Sequence, residues 1–575
     1  MKQFSPKEFI GVVYGNSATP LQDGDEKKAI PTSEFANTQI PHFDSRATST
    51  LNPYTGTFGT AELSHLLRRT LFGVTKTDLD HFAGMTINQV MAELLTSSPT
   101  PQPPLNNYNN GNFTDADIPF GQTWVTAPNN ANSIAANTYR RRSIKSWWVG
   151  LLLNQERNLT EKMTLFWHNH FATEISVYQD ARFAYKHNVL LRANALGNFK
   201  TLTRLITTDP AMVVYLNGNT NTKNAPNENY GRELQELFTA GKGPNSLYTE
   251  DDVKATAKVL TGWRDDKNTV TTYFDSTRHD TYNKQFSAFY NNTVITGQSG
   301  ANGAMETDQL IDMIFQQPEV ARHIARKLYR WFVYYVIDTQ VETDIITPLA
   351  DIITQNNFDI VPALDLLLKS EHFFDLLNMG CHIKNPIDHL VGTCRQFNVV
   401  FPDSSNLIAQ YAGWNVVANA MLTLTMDIGD PPSVAGWTAY YQEPQFHEQW
   451  INSDTLPSRN EYTDALGSVN GVRVGGGIYV KIDHIAFAEQ FPNASDPNQL
   501  IADSAALLSA NDIGVTQTAF LKTILLSGQA QDYYWSDAWN NYITNPTDAS
   551  YKSIVETRLR SMYLYMMQLA EYQLI

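Results

Sequence analysis

Residues 159–171 place the strongest constraint on the fold, because they have the pattern of a helix that is apolar nearly all round. Phe166 falls on one face at helical spacing, and Leu165 lies on the far side. Such a helix is typical of one that other elements surround. We therefore predict a mainly α protein with a large multi-helical body, in which His168 and His170 are buried together with this helix.

The two histidines of this helix cannot easily bind one metal ion together. His168 and His170 are two residues apart, which separates them by about 200° around the helix axis. Histidine pairs that share a metal on one helix are typically four residues apart. At most one of the two is predicted to be a ligand, in a site shared with another segment, and we assign this role to His168.

A second predicted helix, residues 226–241, combines an apolar stripe with several acids. It begins with a proline and ends at a glycine that is followed by a helix-breaking proline. Glu233 and Glu236 are three residues apart, so their repulsion raises the pKa of one of them unless a cation lies between them. Arg232 can be that cation, since it lies one turn from Glu228 and from Glu236, and a divalent metal ion can serve equally well.

Composition and charge restrict the classes of partner. The chain of 575 residues is 42% hydrophobic and 11% aromatic, which is typical of a globular protein. Its formal net charge of −16 argues against nucleic acid and against anionic lipid surfaces, since both are bound through Lys and Arg. Cys381 and Cys394 are too few for a disulfide scaffold or a thiolate metal site.

The sequence also bears on location. No apolar run approaches the roughly 20 residues that a transmembrane helix needs, so no transmembrane segment is predicted. The first ten residues carry positive charge but lack the apolar core of a signal peptide. As written, the chain is predicted to be soluble and cytoplasmic, or to belong to the envelope or the secreted proteins if a signal was trimmed.

Changes in composition and in hydrophobic periodicity along the chain predict three parts. Residues 1–55 are polar and form an N-terminal arm, and residues 56–465 form the main helical domain. Residues 466–575 form a hairpin and C-terminal helices that pack on the main domain. Short β-type runs at about 268–300 predict a small antiparallel β-hairpin inserted into the helical body.

Polar residues on this insertion are candidates for the wall of a site. His279, Asp280 and Lys284 lie close together in the sequence between the two β-type runs. A solvated turn explains the same residues equally well, because loops of this composition are common on protein surfaces.

Eight segments, in this order, match a known family. They are residues 66–73, 161–171, 227–233, 248–263, His279-Asp280 with Lys284, 325–332, 431–437 and 571–574. In these segments the chain resembles the bacterial family of large, mostly helical proteins called domain of unknown function eighteen-hundred. The resemblance covers nearly the whole chain from about residue 58.

The resemblance implies an extracytoplasmic role but specifies no reaction mechanism. Many relatives look secreted or envelope-associated, and they are encoded beside a sulfatase-like family, which suggests a sulfatase-like partner. Two positions depart from the family pattern, where Asn217 replaces a common aspartate and Gln317 replaces a histidine before proline. If that aspartate is a necessary ligand in the family, a metal site in this chain is weakened.

The first hypothesis for function is a metal-dependent hydrolase with a centre of His, Glu and Asp in a helical cleft. One divalent ion, which can be Zn, Mn, Fe, Mg or Ca, would lower the pKa of a bound water molecule. The metal ligands are predicted to be His168, Glu228 and Glu233, and the catalytic residues to be Glu233, Glu236, His279, Asp280 and Lys284. The binding residues are predicted to be Asn229, Arg232, Trp263 and Trp437.

The alternative is a non-enzymatic binding or assembly protein of the cell envelope. In that case the same polar groups form a buried hydrogen-bonded network, and surface aromatics among the 27 Tyr and 11 Trp contact glycans or proteins. The sequence leaves open whether the chain is an enzyme. A nucleic-acid binder ranks last because of the charge.

Overall fold

The fold is mainly helical, as predicted. The structure is a computed structural model that describes residues 49–110 and 112–575. The helices up to residue 260 are α1 (Thr60–Thr70), α2 (Lys76–Phe82), α3 (Ile87–Leu94), α4 (Ala131–Leu153), α5 (Thr160–His170), α6 (Ile175–Tyr178), α7 (Ala181–Ala193), α8 (Phe199–Thr207), α9 (Pro210–Tyr215), α10 (Asn229–Glu233) and α11 (Glu250–Val259).

Further helices complete the body and the C-terminal part. They are α12 (Glu306–Ile314), α13 (Pro318–Phe332), α14 (Thr339–Val341), α15 (Thr347–Gln355), α16 (Val361–Leu368), α17 (Pro386–Gln396), α18 (Leu407–Thr423), α19 (Thr455–Gly467), α20 (His484–Glu489), α21 (Pro497–Leu508), α22 (Gly514–Leu525), α23 (Tyr533–Thr544) and α24 (Ala549–Gln568). In the described ranges no helix is long and apolar enough to cross a membrane.

Helix α5 lies at the centre of the helical body, and every one of its residues is buried. Its charged residues have partners, since Glu161 pairs with Arg192 and Lys162 contacts Asp388 at 2.5 Å. Helix α7 packs against both α4 and α5, and α9 packs against α7. These four helices together form the surroundings of the candidate site.

The segment after α10 departs from a regular helix. Residues Leu234–Phe238 form a π-helical turn instead of continuing the α-helix to residue 241. Gln235 stabilises this turn, because its amide donates to the carbonyl of Gly231 at 2.9 Å and accepts from the hydroxyl of Tyr290 at 2.9 Å. A π-turn changes which side chains share a face, so the sequence spacing of Glu233 and Glu236 no longer fixes their relative direction.

Six short strands form three antiparallel pairs in the described residues. They are β1 (Trp263–Asp266) with β2 (Thr271–Phe274), β3 (Lys284–Gln285) with β4 (Val294–Ile295), and β5 (Val472–Gly475) with β6 (Ile478–Val480). Trp263 is paired with Phe274, and Lys284 with Ile295. The insertion therefore contains two ribbons rather than one hairpin, and it begins earlier than residue 268, because β1 directly follows α11 and its loop.

Both ends of the described chain lie on the helical body. Residues 1–48 of the predicted arm lie outside the described residues, but its last residues contact the main domain: the Ser49 hydroxyl donates to Asp375 at 2.8 Å, and the Tyr54 N–H donates to the carbonyl of Lys369 at 2.8 Å. At the C-terminal side Arg68 of α1 donates to the carbonyl of Ala506 at 2.9 Å.

Candidate functional site

A small cavity lies between α4, α5 and α7, and we call it the histidine cavity. It is lined by Ile144, Lys145, Trp148, His168, Ile175, Tyr178, Ala184, His187, Asn188 and Gly429. Its volume of about 10 Å³ is the room that one water molecule needs. Its lining is mostly apolar, so the few polar groups in it dominate its chemistry.

His168 contributes the first imidazole of the histidine cavity. The ring lies in a T-shaped contact with Trp148, with 5.1 Å between ring centroids, and 5.7 Å from Trp437. Its Nε2 is buried and has no hydrogen-bond partner among the described residues. Burial, with smaller contributions from His187 and Lys145, lowers the pKa of His168 to about 3, so the ring is neutral.

His187 contributes the second imidazole, and a carboxylate holds it. Its Nδ1 lies 3.0 Å from Oδ1 of Asp209, which caps the N-terminus of α9. Because a carboxylate oxygen accepts, Nδ1 carries the hydrogen and Nε2 keeps its lone pair. That Nε2 is buried without a partner in the described chain, and the ring lies 6.2 Å from the ring of His168.

Asn188 adds a complete amide to the same cavity. Neither its Oδ1 nor its Nδ2 has a hydrogen-bond partner within residues 49–110 and 112–575, and both atoms are buried. A buried polar group without a partner costs about 1 to 3 kcal/mol, so four such atoms around one cavity indicate a bound water molecule or ion.

A loop with paired charges closes the histidine cavity. Lys145 of α4 contacts both Asp427 and Asp430 at 2.6 Å, and Gly429 between them lines the cavity. Burial raises the pKa of Asp427, against the attraction of Lys145. The Gly429 carbonyl accepts from the N–H of Ile175, which fixes the loop to α6.

Three carboxylates act on Tyr215 through their charge, and we call Glu174, Glu233 and Asp430 the acidic rim. The hydroxyl of Tyr215 donates to Oε1 of Glu174 at 2.7 Å. Burial, this hydrogen bond and the charges of the three rim carboxylates raise the pKa of Tyr215. Asp430 also raises the pKa of Tyr178, whose shift is mainly due to burial. The rim is thus electrostatically connected to the cavity lining.

Glu233 differs from the other acids of its helix. It is half-buried and has no ion pair in the described part of the chain, and burial followed by the charge of Glu236 raises its pKa. Arg232 instead binds Glu250 through two contacts of 2.8 and 2.7 Å. Its contact with Glu228 is longer, at 3.4 Å.

The remaining predicted residues of this helix face outward. Glu236 pairs with Lys242 at 2.7 Å, and Asn229 is exposed. The sequence-based assignment of Arg232 as the cation between Glu233 and Glu236 is not what the described residues show, since Arg232 pairs with Glu250 and Glu228. The main partner of Arg232 lies outside its own helix, in the first turn of α11, which sequence spacing within one helix does not reveal.

The predicted group on the β insertion forms a separate buried network around Glu306. Lys284 Nζ lies 2.6 Å from Oε2 of Glu306, and His279 Nε2 lies 3.0 Å from Oε1. His279 Nδ1 faces the carbonyl of Thr261 at 2.9 Å, and Lys284 also reaches the carbonyl of Asp280. Both ring nitrogens and the amine are therefore satisfied within the protein, and the solvated turn considered for this loop is not what the structure shows.

The two predicted binding tryptophans lie in different places. Trp263 begins β1, is half-buried, and donates its indole N–H to the hydroxyl of Thr307 at 3.0 Å. Trp437 is buried against His168, and its indole nitrogen has no partner in the described residues. Of these two tryptophans, only Trp437 contacts a residue that lines the histidine cavity.

Metal binding at this site would use few protein side chains. Within the residues that the structure describes, no group of three or more His, Cys, Asp and Glu side chains is arranged to hold a metal ion. The lone pairs of His168 and His187 and the Asn188 oxygen are the protein donors that the histidine cavity offers. Water would have to complete the coordination, as it does in sites that keep an open position.

Comparison with known proteins gives one match. The family described as "Protein of unknown function (DUF1800)" matches residues 65–574. The chain belongs to this family. No curated protein and no solved structure matches it detectably. The resemblance that the eight sequence segments suggested is thereby confirmed, while the family description adds no activity.

Two of the segments that resemble the family meet at the candidate site. The helix end that carries His168 contacts the turn at residues 431–437, where the N–H of Trp437 donates to Oδ1 of Asn169 at 2.9 Å. Tyr215, two residues before the departure from the family pattern at Asn217, binds Glu174 just after the same helix. These segments therefore converge, whereas the His279 segment lies in its own network.

Sequence reasoning missed His187, Asn188, Asp209 and Glu306. A local signal existed for two of them: His187 falls on the apolar face of α7 between Phe183 and Leu191, and Asp209 precedes a proline as a helix cap does. Nothing in the local sequence indicated that these two residues contact each other, because they lie on different helices.

Proposed function

We propose that this chain is a hydrolase that depends on one divalent metal ion bound at the histidine cavity. One observation carries the proposal: the Nε2 atoms of His168 and His187 are buried without partners beside a cavity of about 10 Å³, and Asp209 holds His187 through Nδ1. A carboxylate on the far nitrogen is the usual support of a metal-binding histidine.

The neutral state of the His168 ring fits this proposal. Metal ions bind the unprotonated nitrogen, and the low pKa of His168 keeps its lone pair free at neutral pH. Imidazole ligands suit Zn and Fe, and Mn binds imidazole together with oxygen donors, whereas Mg and Ca prefer oxygen alone. When bound, the metal would supply a water molecule of lowered pKa.

The acidic rim would supply proton transfer. Glu233 has a raised pKa and no ion pair in the described residues, which suits a group that takes and returns a proton. Tyr215, hydrogen-bonded to Glu174, would keep the neighbouring carboxylates oriented. Glu236, which pairs with Lys242, would then influence Glu233 through its charge rather than by touching the substrate.

Element analysis of the protein, purified without chelators, tests the proposal. We expect close to one equivalent of Zn, Fe or Mn, lost in His168→Ala and in His187→Ala. His65→Asn is the matched control, because His65 is equally buried but makes a 3.1 Å hydrogen bond to the carbonyl of Phe373. Metal-dependent cleavage of p-nitrophenyl acetate, phosphate or sulfate would establish hydrolysis.

A second candidate function rests on a different observation. The network of His279, Lys284 and Glu306 is fully satisfied, which is typical of a structural core that shapes a binding or assembly surface. If the purified protein contains no metal and binds none after chelation, with normal folding, this non-enzymatic function is favoured.

A further inference from the structure

A polar groove lies apart from the histidine cavity, and we call it the amide groove. It consists of two depressions of about 500 and 400 Å³, which adjoin because Thr75, Arg395 and Asn398 line both. The groove runs from the start of α2, past the end of α4, to α18. It shares no lining residue with the histidine cavity.

Four of the charged groups of the amide groove have partners within the protein. Asp78 binds Arg157 at 3.0 Å and Arg395 at 3.3 Å. Glu93 contacts His81 at 2.9 Å. An anionic ligand would have to displace Asp78 from both guanidinium groups, and is therefore disfavoured.

The other acids of the groove are also engaged by neutral donors. Glu156 accepts from the hydroxyl of Ser98 at 2.7 Å and from the amide of Asn158 at 3.2 Å. Asp403 accepts the N–H of Ser405 at 2.9 Å. With a net charge of −16 on the whole chain, an anionic ligand is disfavoured further.

An exposed amide group lines the groove. Asn154 uses its Nδ2 on the carbonyl of Gly150 at 2.7 Å, and no contact to its Oδ1 is present in the described ranges. Side-chain amides can donate and accept at once, which matches hydroxyl groups that do the same.

An aromatic platform forms one wall. Trp414 of α18 is half-buried and lies directly over Gly150, where a Cβ would be 2.7 Å from the indole ring. Phe401 lies against Gly413 of the same helix, where a Cβ would be 3.0 Å from its ring. These glycines fix the positions of both rings. A flat aromatic ring in a fixed position offers an apolar face on which the C–H face of a sugar ring can pack.

We propose that the amide groove binds a neutral oligosaccharide. Its volume falls within the range of ligand sites, and it combines an aromatic face with side-chain oxygens that can accept from hydroxyl groups. Oδ1 of Asn154 accepts from sugar hydroxyls, and Trp414 packs on a pyranose ring. This binding site is independent of the metal centre, so either can exist without the other.

Isothermal titration of the full chain with cellohexaose, maltohexaose and chitohexaose tests this proposal. We expect at least one of these sugars to bind, and its affinity to fall about fivefold or more in Trp414→Ala and in Asn154→Ala. Trp414→Phe keeps an aromatic face and should recover much of the affinity. Tyr282→Ala is the control, since Tyr282 is an aromatic residue of the β insertion that is 80% exposed and does not line the groove.

Three outcomes would overturn the proposal. The first is that none of the three sugars binds at millimolar concentration. The second is that a sugar binds equally well to the wild type, Trp414→Ala and Asn154→Ala, all with normal circular dichroism. The third is that tetralysine or tetraglutamate binds more tightly than every sugar, which would assign the groove to charged peptides.

Discussion

Asn169 joins two segments that are 268 residues apart, because its Oδ1 accepts the backbone N–H of Trp437 at 2.9 Å. The approach requires Gly436, whose φ is +90° and where a Cβ would be 2.3 Å from that same oxygen. The contact holds the Trp437 ring 5.7 Å from His168. The turn thus forms a wall beside the candidate metal ligand.

Replacing Gly436 by alanine should separate the turn from α5. The added Cβ collides with Asn169, so we expect Gly436→Ala to lower the free energy of unfolding by about 3 kcal/mol or more in urea denaturation. Gly477→Ala is the matched control, because Gly477 also has a positive φ of +78° but no atom within 4 Å of its Cβ position. The control should lose about 1 kcal/mol from backbone strain alone. Equal losses in the two variants would show that the contact with Asn169 is unimportant.

Replacing Asp209 by asparagine should weaken metal binding without removing a ligand. The side chain still accepts from the N–H groups of Ala211 and Met212, but it no longer holds His187 through a carboxylate. We expect the affinity of chelator-treated protein for Co²⁺ or Zn²⁺ to fall about 10- to 100-fold in calorimetric titration.

The control for this substitution is Asp496→Asn. Asp496 also precedes a proline and caps a helix, where it accepts the N–H of Asn498 at 2.8 Å. It contacts no histidine in the described structure, so metal affinity should stay at the wild-type value. A loss of affinity in both variants would point to a general effect on stability.

Replacing Glu306 by glutamine should destabilise the network on the β insertion. The substitution leaves the buried amine of Lys284 with only the more distant carboxylate of Asp280, 3.8 Å away, so we expect a loss of about 3 kcal/mol in the free energy of unfolding. Glu250→Gln, which breaks the exposed pair with Arg232, should cost much less, because solvent screens that pair. A small effect of Glu306→Gln in urea denaturation would contradict a structural role of this network.

The buried neutral histidine should make stability depend on pH. The pKa of His168 is about 3 in the folded protein and near 6.5 in the unfolded chain, so protons bind the unfolded chain first as the pH falls. Its contribution is complete above about pH 6.5 and is lost progressively between there and about pH 3, by about 1.4 kcal/mol per pH unit. Urea denaturation with EDTA at pH 7, 6 and 5 should show a shallower dependence in His168→Leu. An unchanged slope would mean that the ring binds protons as readily in the folded protein as in the unfolded chain.

Helix content and burial were predictable from local pattern. The apolar faces of residues 159–171 indicated a central helix, and all of α5 is buried. The spacing of His168 and His170 indicated different neighbours, and His170 contacts the carbonyl of Phe238 instead of the histidine cavity. The π-turn after α10 was not predictable, because its stabilising contact from Tyr290 comes from a residue 55 positions away.

The sequence by itself determined that this is a mainly helical chain of its family, with a buried helix that carries His168. Only the tertiary structure decided that His187, Asn188 and Asp209 join it, and that His279 and Lys284 surround Glu306 instead. The reason is physical: periodicity along one helix specifies which face is buried, but the polar groups that meet across that face are set by how separate helices pack.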